Sequence, residues 1–92
     1  MTGAAGPLLS LYSGAPLTAR AHVRVRWATC PFRAVAAEVP ASGRILEVGC
    51  GHGLLSLHLA LTSPTREVLG VDVDDDKLKA GRTAAAKGRL HA

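Results

Sequence analysis

The sequence predicts an α/β fold, the opening part of a doubly wound parallel sheet. Two observations carry this. The stretch Ile45–Ala60 (ILEVGCGHGLLSLHLA) passes from a short apolar run, through three alternating glycines, into a leucine-rich segment. A second short apolar run, Glu67–Val71, follows and ends at Asp72 before a further helical segment. Strand, turn, helix, strand and helix in that order make up one β–α–β unit and its continuation.

The chain has 92 residues, enough for one small domain. Hydrophobic content of 48% against 20% charged residues argues for a packed core rather than disorder. Aromatic residues contribute only 3%, so that core must be built from Leu, Val and Ala. The formal net charge of +4 is uneven. Residues 1–44 hold five arginines and one acid, Glu38, whereas residues 45–92 hold six basic and six acidic residues. The basic excess thus lies away from the glycines, and with so few interleaved aromatics it argues against a nucleic-acid partner.

Residues 1–27 read as a flexible basic arm. The first nineteen are rich in Gly, Ala, Pro, Ser and Thr, with one docked turn expected at Leu8–Tyr12. In Arg20–Trp27 (RAHVRVRW), Val23 and Val25 alternate with His22, Arg24 and Arg26, which suits a short strand or, preferably, an extended solvated segment. Cys30–Val39 reads as a helix, with Phe32, Val35, Ala36 and Val39 on one face and Pro31 at the first helical position. Pro40-Ala41-Ser42-Gly43 ends it. Ile45–Val48 is the first strand, and because the run does not alternate, both of its faces should be buried.

Gly53–Thr62 reads as the next helix, broken by Ser63-Pro64-Thr65. Glu67–Val71 is the second strand. Asp74-Asp75-Asp76 opens a third helix, where acids suit capping and the helix dipole, and Gly88 is its expected stop. Within the leucine-rich helix, His58 reads as a surface histidine. Cys50, His52 and His58 match no common zinc spacing, and three consecutive acids in a first turn diverge, so no metal site is expected. Cys50 is a small turn residue rather than a nucleophile.

A glycine turn after a first strand, with an acid closing the second strand, can hold an adenosine ribose. Asp72 falls nineteen residues after Gly53. A dinucleotide would call for G-x-G-x-x-G, but this chain has Gly49-x-Gly51-x-Gly53, with Leu54 where the last glycine of that spacing would fall.

Glu47-Val48-Gly49-Cys50-Gly51-His52-Gly53 resembles the E/D-x-G-x-G-x-G signature of class I S-adenosylmethionine-dependent methyltransferases. Gly70-Val71-Asp72-Val73-Asp74 resembles the second signature of that family. The resemblance runs from the Phe32 helix to the Lys77–Ala86 helix, and residues 1–26 carry none of it. It implies a Rossmann-like sheet, of which the helix–β–α–β–α part is present, and S-adenosyl-L-methionine as cofactor. Residues 28–92 would form the N-terminal part of a truncated methyltransferase domain.

By the same resemblance, Gly49, Cys50 and Gly51 would line the turn beneath the methionine and ribose, with Gly53 completing the signature. Glu47 would lie near the methionyl amino group, Asp72 would hold the ribose hydroxyls, and Val73 would lie against adenine. His52 departs from the small Thr or Ser common at that position. The methyl acceptor and the catalytic residues have no counterpart to carry over. In this family the first strand lies mid-sheet, so the 92-residue chain alone is expected to fold poorly and to transfer no methyl group. The alternatives are a fragment of an NAD(P)-dependent oxidoreductase and a non-catalytic S-adenosylmethionine-binding module. The absence of a signal-peptide pattern or a membrane-length apolar run, with two well-separated cysteines, favours the cytoplasm.

Overall fold

A computed structural model describes residues 5–88; the outer ends of the two regions expected above, residues 1–4 and 89–92, lie outside them. Strands β1 (Gly43–Val48) and β2 (Arg66–Val71) pair in parallel, with Gly43 opposite Arg66 and Val48 opposite Val71. Helix α4 (Leu54–Thr62) connects them and packs on β2. Helix α5 (Asp75–Lys87) follows β2. The chain therefore forms part of a Rossmann-like α/β fold, as the order of elements predicts.

The predicted boundaries of the later elements hold for physical reasons. The Asp74 side chain accepts a hydrogen bond from the Lys77 backbone N–H, capping α5, while Asp75 and Asp76 fill its first turn. Gly88 caps the other end, its N–H donating to the Ala84 carbonyl. Arg66 ties the base of the sheet together: its guanidinium donates to the Val39 and Pro40 carbonyls before β1 and to the Leu59 carbonyl near the end of α4.

The N-terminal region is not extended. Helix α1 (Ala5–Ser10) and helix α2 (Leu17–Thr29) replace the expected arm, and the docked turn around Tyr12 joins them. Helix α2 also runs across the boundary expected at residues 27 and 28. Leu8, Tyr12 and Val23 are buried and share one core with Leu54 and Leu57 of α4 and with Ala84 and Ala85 of α5. Burial of those side chains outweighs the weak local signal for a helix; apolar burial contributes roughly 25 cal/mol per Å². Helix α3 (Phe32–Ala37) is shorter than expected: Phe32 is buried, Val35 is exposed, and Pro31 stands just before the helix rather than in it.

Two further expectations are corrected. The strands are not buried on both faces: Leu46 is 61% exposed and Val48 77%, with Leu69 and Val71 beside them. Among the described residues the helices cover only the opposite face. His58 is not on the surface either. It is 6% exposed, its ring edge-on to Trp27 at 5.1 Å, because α4 is enclosed on most of its sides.

Candidate cofactor site

The site lies where β1 and β2 end side by side. Beyond Val48 the chain reverses through Gly49, Gly51 and Gly53, with φ of 74°, 57° and 81°. L-residues with side chains rarely adopt these values, which explains the alternating glycines. The turn is fastened to the second strand by its own backbone. Gly49 and Cys50 both donate N–H bonds to the Val71 carbonyl, at 2.7 and 3.0 Å. Gly53 donates to the Cys50 carbonyl at 2.9 Å and leads directly into α4.

Asp72 is the second fastening. One carboxylate oxygen accepts the Gly51 N–H at 2.8 Å and the other accepts the Asp74 N–H at 2.8 Å. The amides of Asp74 and Gly51 hold this carboxyl below the ordinary carboxylate range. Each oxygen keeps a further lone pair, so the group can still accept from a ligand. Val73, next in the chain, is fully exposed at the rim.

Glu47 projects from the covered face of β1 and accepts a hydrogen bond from the Ser56 hydroxyl of α4 at 2.5 Å. It lines a polar cleft of about 120 Å³ together with Gly49, Gly51 and Asp72. The far wall comes from α2 and α5, as His22, Arg26 and Lys77. Five of the predicted positions, Glu47, Gly49, Cys50, Gly51 and Asp72, therefore converge on one cleft. Gly53 sits behind, as the residue before α4, and Val73 stands outside.

Residue charges follow from these surroundings. Burial, then Glu47 and Asp72, push the Cys50 thiol up, so it stays protonated and is a poor nucleophile. Its sulfur packs against Gly70, where an added Cβ would come within 2.7 Å of it. Burial and the nearby His22 push the His52 imidazole down, so it is neutral at pH 7. Its ring lies 5.0 Å from that of His22.

His22, Arg26 and Ser56 were not legible as site residues. His22 and Arg26 stand four apart, which places them on one face of a helix, but only if the alternating run is read as helical. Ser56 carried no signal beyond being a polar residue among leucines.

The model of a methyltransferase-domain family matches residues 45–92, just over half of the chain. The chain belongs to the class I S-adenosylmethionine-dependent methyltransferases. The match begins inside β1 and takes in the glycine turn, Asp72 and α5, so helices α1, α2 and α3 lie outside it. No curated protein and no solved structure matches the chain. Among the described residues, no helix is long and apolar enough to cross a membrane.

Proposed function

We propose that this chain binds S-adenosyl-L-methionine at the ends of β1 and β2, as the cofactor-binding part of a methyltransferase, with residues 28–92 supplying the strand ends, α2 adding one wall, and the cytoplasm as its location. The observation that carries the reading is the Asp72–Gly51 hydrogen bond. It joins the ribose-type acid to the glycine turn, so that both border one cleft.

The residues present fit such a ligand. A Cβ built on Gly49 would meet nothing within 4 Å, and one on Gly51 would meet only the Lys77 side chain at 3.8 Å, so bare backbone faces open space. Glu47 and Arg26 line the same cleft with opposite charges, which suits the ammonium and carboxylate of an amino-acid moiety. Asp72 would accept from the ribose hydroxyls, with Cys50 and Gly53 holding the turn and Val73 at the adenine side. Leu54 argues against a dinucleotide, because the position that calls for the third glycine holds a side chain buried in the core.

When bound, the cofactor would supply an electrophilic sulfonium methyl group for transfer to an acceptor. The chain's own share is to bind and orient. Glu47, fixed by Ser56, and Asp72, fixed by two backbone amides, are held in place before a ligand arrives.

Calorimetric titration of the full chain with S-adenosylhomocysteine and with NAD tests the reading, and preference for the thioether is expected. Asp72→Asn should weaken binding by about tenfold or more, since a charge-assisted hydrogen bond is replaced by a neutral one. Asp75→Asn, on the exposed first turn of α5, should leave affinity unchanged. Tighter binding of NAD, or equal losses from the two variants, would contradict it.

A further inference from the structure

The peptide between His52 and Gly53 turns about the His52 ψ and the Gly53 φ, and Gly53 stands at positive φ, 81°. Within the turn this peptide is held at its N–H end alone, by the Gly53 bond to the Cys50 carbonyl at 2.9 Å. Two residues remote in sequence meet the His52 carbonyl. The Tyr12 hydroxyl donates to it at 2.7 Å, from forty residues upstream. On α5, Gly81 leaves it room: a Cβ there would come within 2.7 Å of the His52 oxygen. A glycine inside a helix is destabilising relative to alanine, and this contact gives it a reason.

Tyr12 is 1% exposed and sits in the core with Leu8 and Leu54. Its ring is therefore immobilised by packing, and its hydroxyl direction is fixed before any ligand binds. Burial, with Cys50 and Glu47 nearby, pushes the phenol up, so it remains a donor throughout the working pH range.

We propose that Tyr12 is a positioning residue for the cofactor turn: its hydroxyl holds the His52 carbonyl inward and, with the Gly53 N–H bond to Cys50, fixes the end of the turn at which α4 begins. This rests on the cofactor reading above. It makes the N-terminal segment part of the binding machinery, although the family match does not reach it. A buried carbonyl without its partner would turn towards water or another donor. The Gly53 amide, at the other end of the same peptide, would then lose its single arrangement.

The test is Tyr12→Phe in the full chain, which removes the hydroxyl and keeps the ring. Three quantities are measured: S-adenosylhomocysteine affinity, melting temperature, and amide hydrogen exchange across Gly51–Leu54. Affinity should fall about three- to tenfold, the range for one net hydrogen bond. Exchange at Gly53 and Leu54 should speed up, while melting shifts by a few degrees at most. Leu8→Ala serves as the contrast: it removes core packing without touching the hydroxyl, so it should lower the melting temperature and, well below melting, leave affinity unchanged. Wild-type affinity and unchanged exchange in Tyr12→Phe would overturn the proposal, as would an affinity loss in Leu8→Ala equal to that in Tyr12→Phe. If the wild-type chain bound no S-adenosylhomocysteine, the cofactor reading would fall. The exchange comparison would then decide the Tyr12 clamp by itself: faster exchange in Tyr12→Phe supports it, and unchanged exchange overturns it.

Discussion

On one face of the β1–β2 sheet, Ile45, Glu47, Val68 and Gly70 are partly covered; on the other, Leu46, Val48, Leu69 and Val71 meet solvent. The covered face is the less apolar of the two, since it contains a carboxylate and a residue with no side chain. Burial here follows the needs of the site rather than hydrophobicity. Glu47 needs Ser56 to hold it, and Gly70 needs to be bare so that Cys50 and Ser56 can sit against it. The open face has the composition of a surface made to be covered, and exposed apolar patches of this kind promote association.

Substitution can sharpen that contrast. The largest effect is expected from Gly70→Ala. Its Cβ would lie 2.7 Å from the Cys50 sulfur and 3.0 Å from the Ser56 hydroxyl, so the turn and the Glu47 anchor must both shift. Overpacking of this kind costs about 1–3 kcal/mol, and chemical denaturation would measure it. Leu69→Thr, the next residue along but on the open face, should change stability less, by about 0.5–1 kcal/mol, because the side chain is already 53% exposed. It should also reduce self-association in sedimentation experiments. Equal destabilisation by both would mean that the two faces are covered alike.

A smaller effect concerns the enclosed side of α4. Burial, then Arg33 and Arg66, push the His58 imidazole below its usual value of 6.5. The unfolded chain therefore binds this proton more readily than the folded one, and stability rises with pH. The contribution is present above the ordinary imidazole range and is lost as pH falls through and below it. Melting temperatures at pH 7 and pH 5 should diverge less in His58→Gln than in the wild-type chain. An identical acid loss in the two would contradict the placement of His58.

How much of this was legible in the sequence depended on how each residue is constrained. Gly49, Gly51, Gly53 and Asp72 are set by backbone geometry and by local hydrogen bonds, which a sequence displays as residue type and spacing. Asp74 and Gly88 likewise mark α5 by capping chemistry that acts within one turn. Helix α2 gave no such sign. Pro16 precedes it without a side-chain cap, and only Val23 is buried along it, so no apolar stripe forms. Alternation of Val23 and Val25 with basic residues suits an extended chain equally well. The covering of one sheet face could not be read either, because Ile45-Leu46-Glu47-Val48 is almost uniformly apolar and packing partners decide which side is enclosed. Tyr12 reaches His52 only through the tertiary fold, and nothing in either segment points to the other.

The central claim is that ligand binding belongs to the strand ends. Residue-resolved amide shifts on titration with S-adenosylhomocysteine test it most directly. The account predicts saturable shifts at Gly49–Gly53 and Asp72–Asp74, with Ala41–Gly43 at the far end of the sheet unmoved. Saturable shifts confined to Leu46 and Leu69 on the open face, or none at the glycine turn, would contradict it.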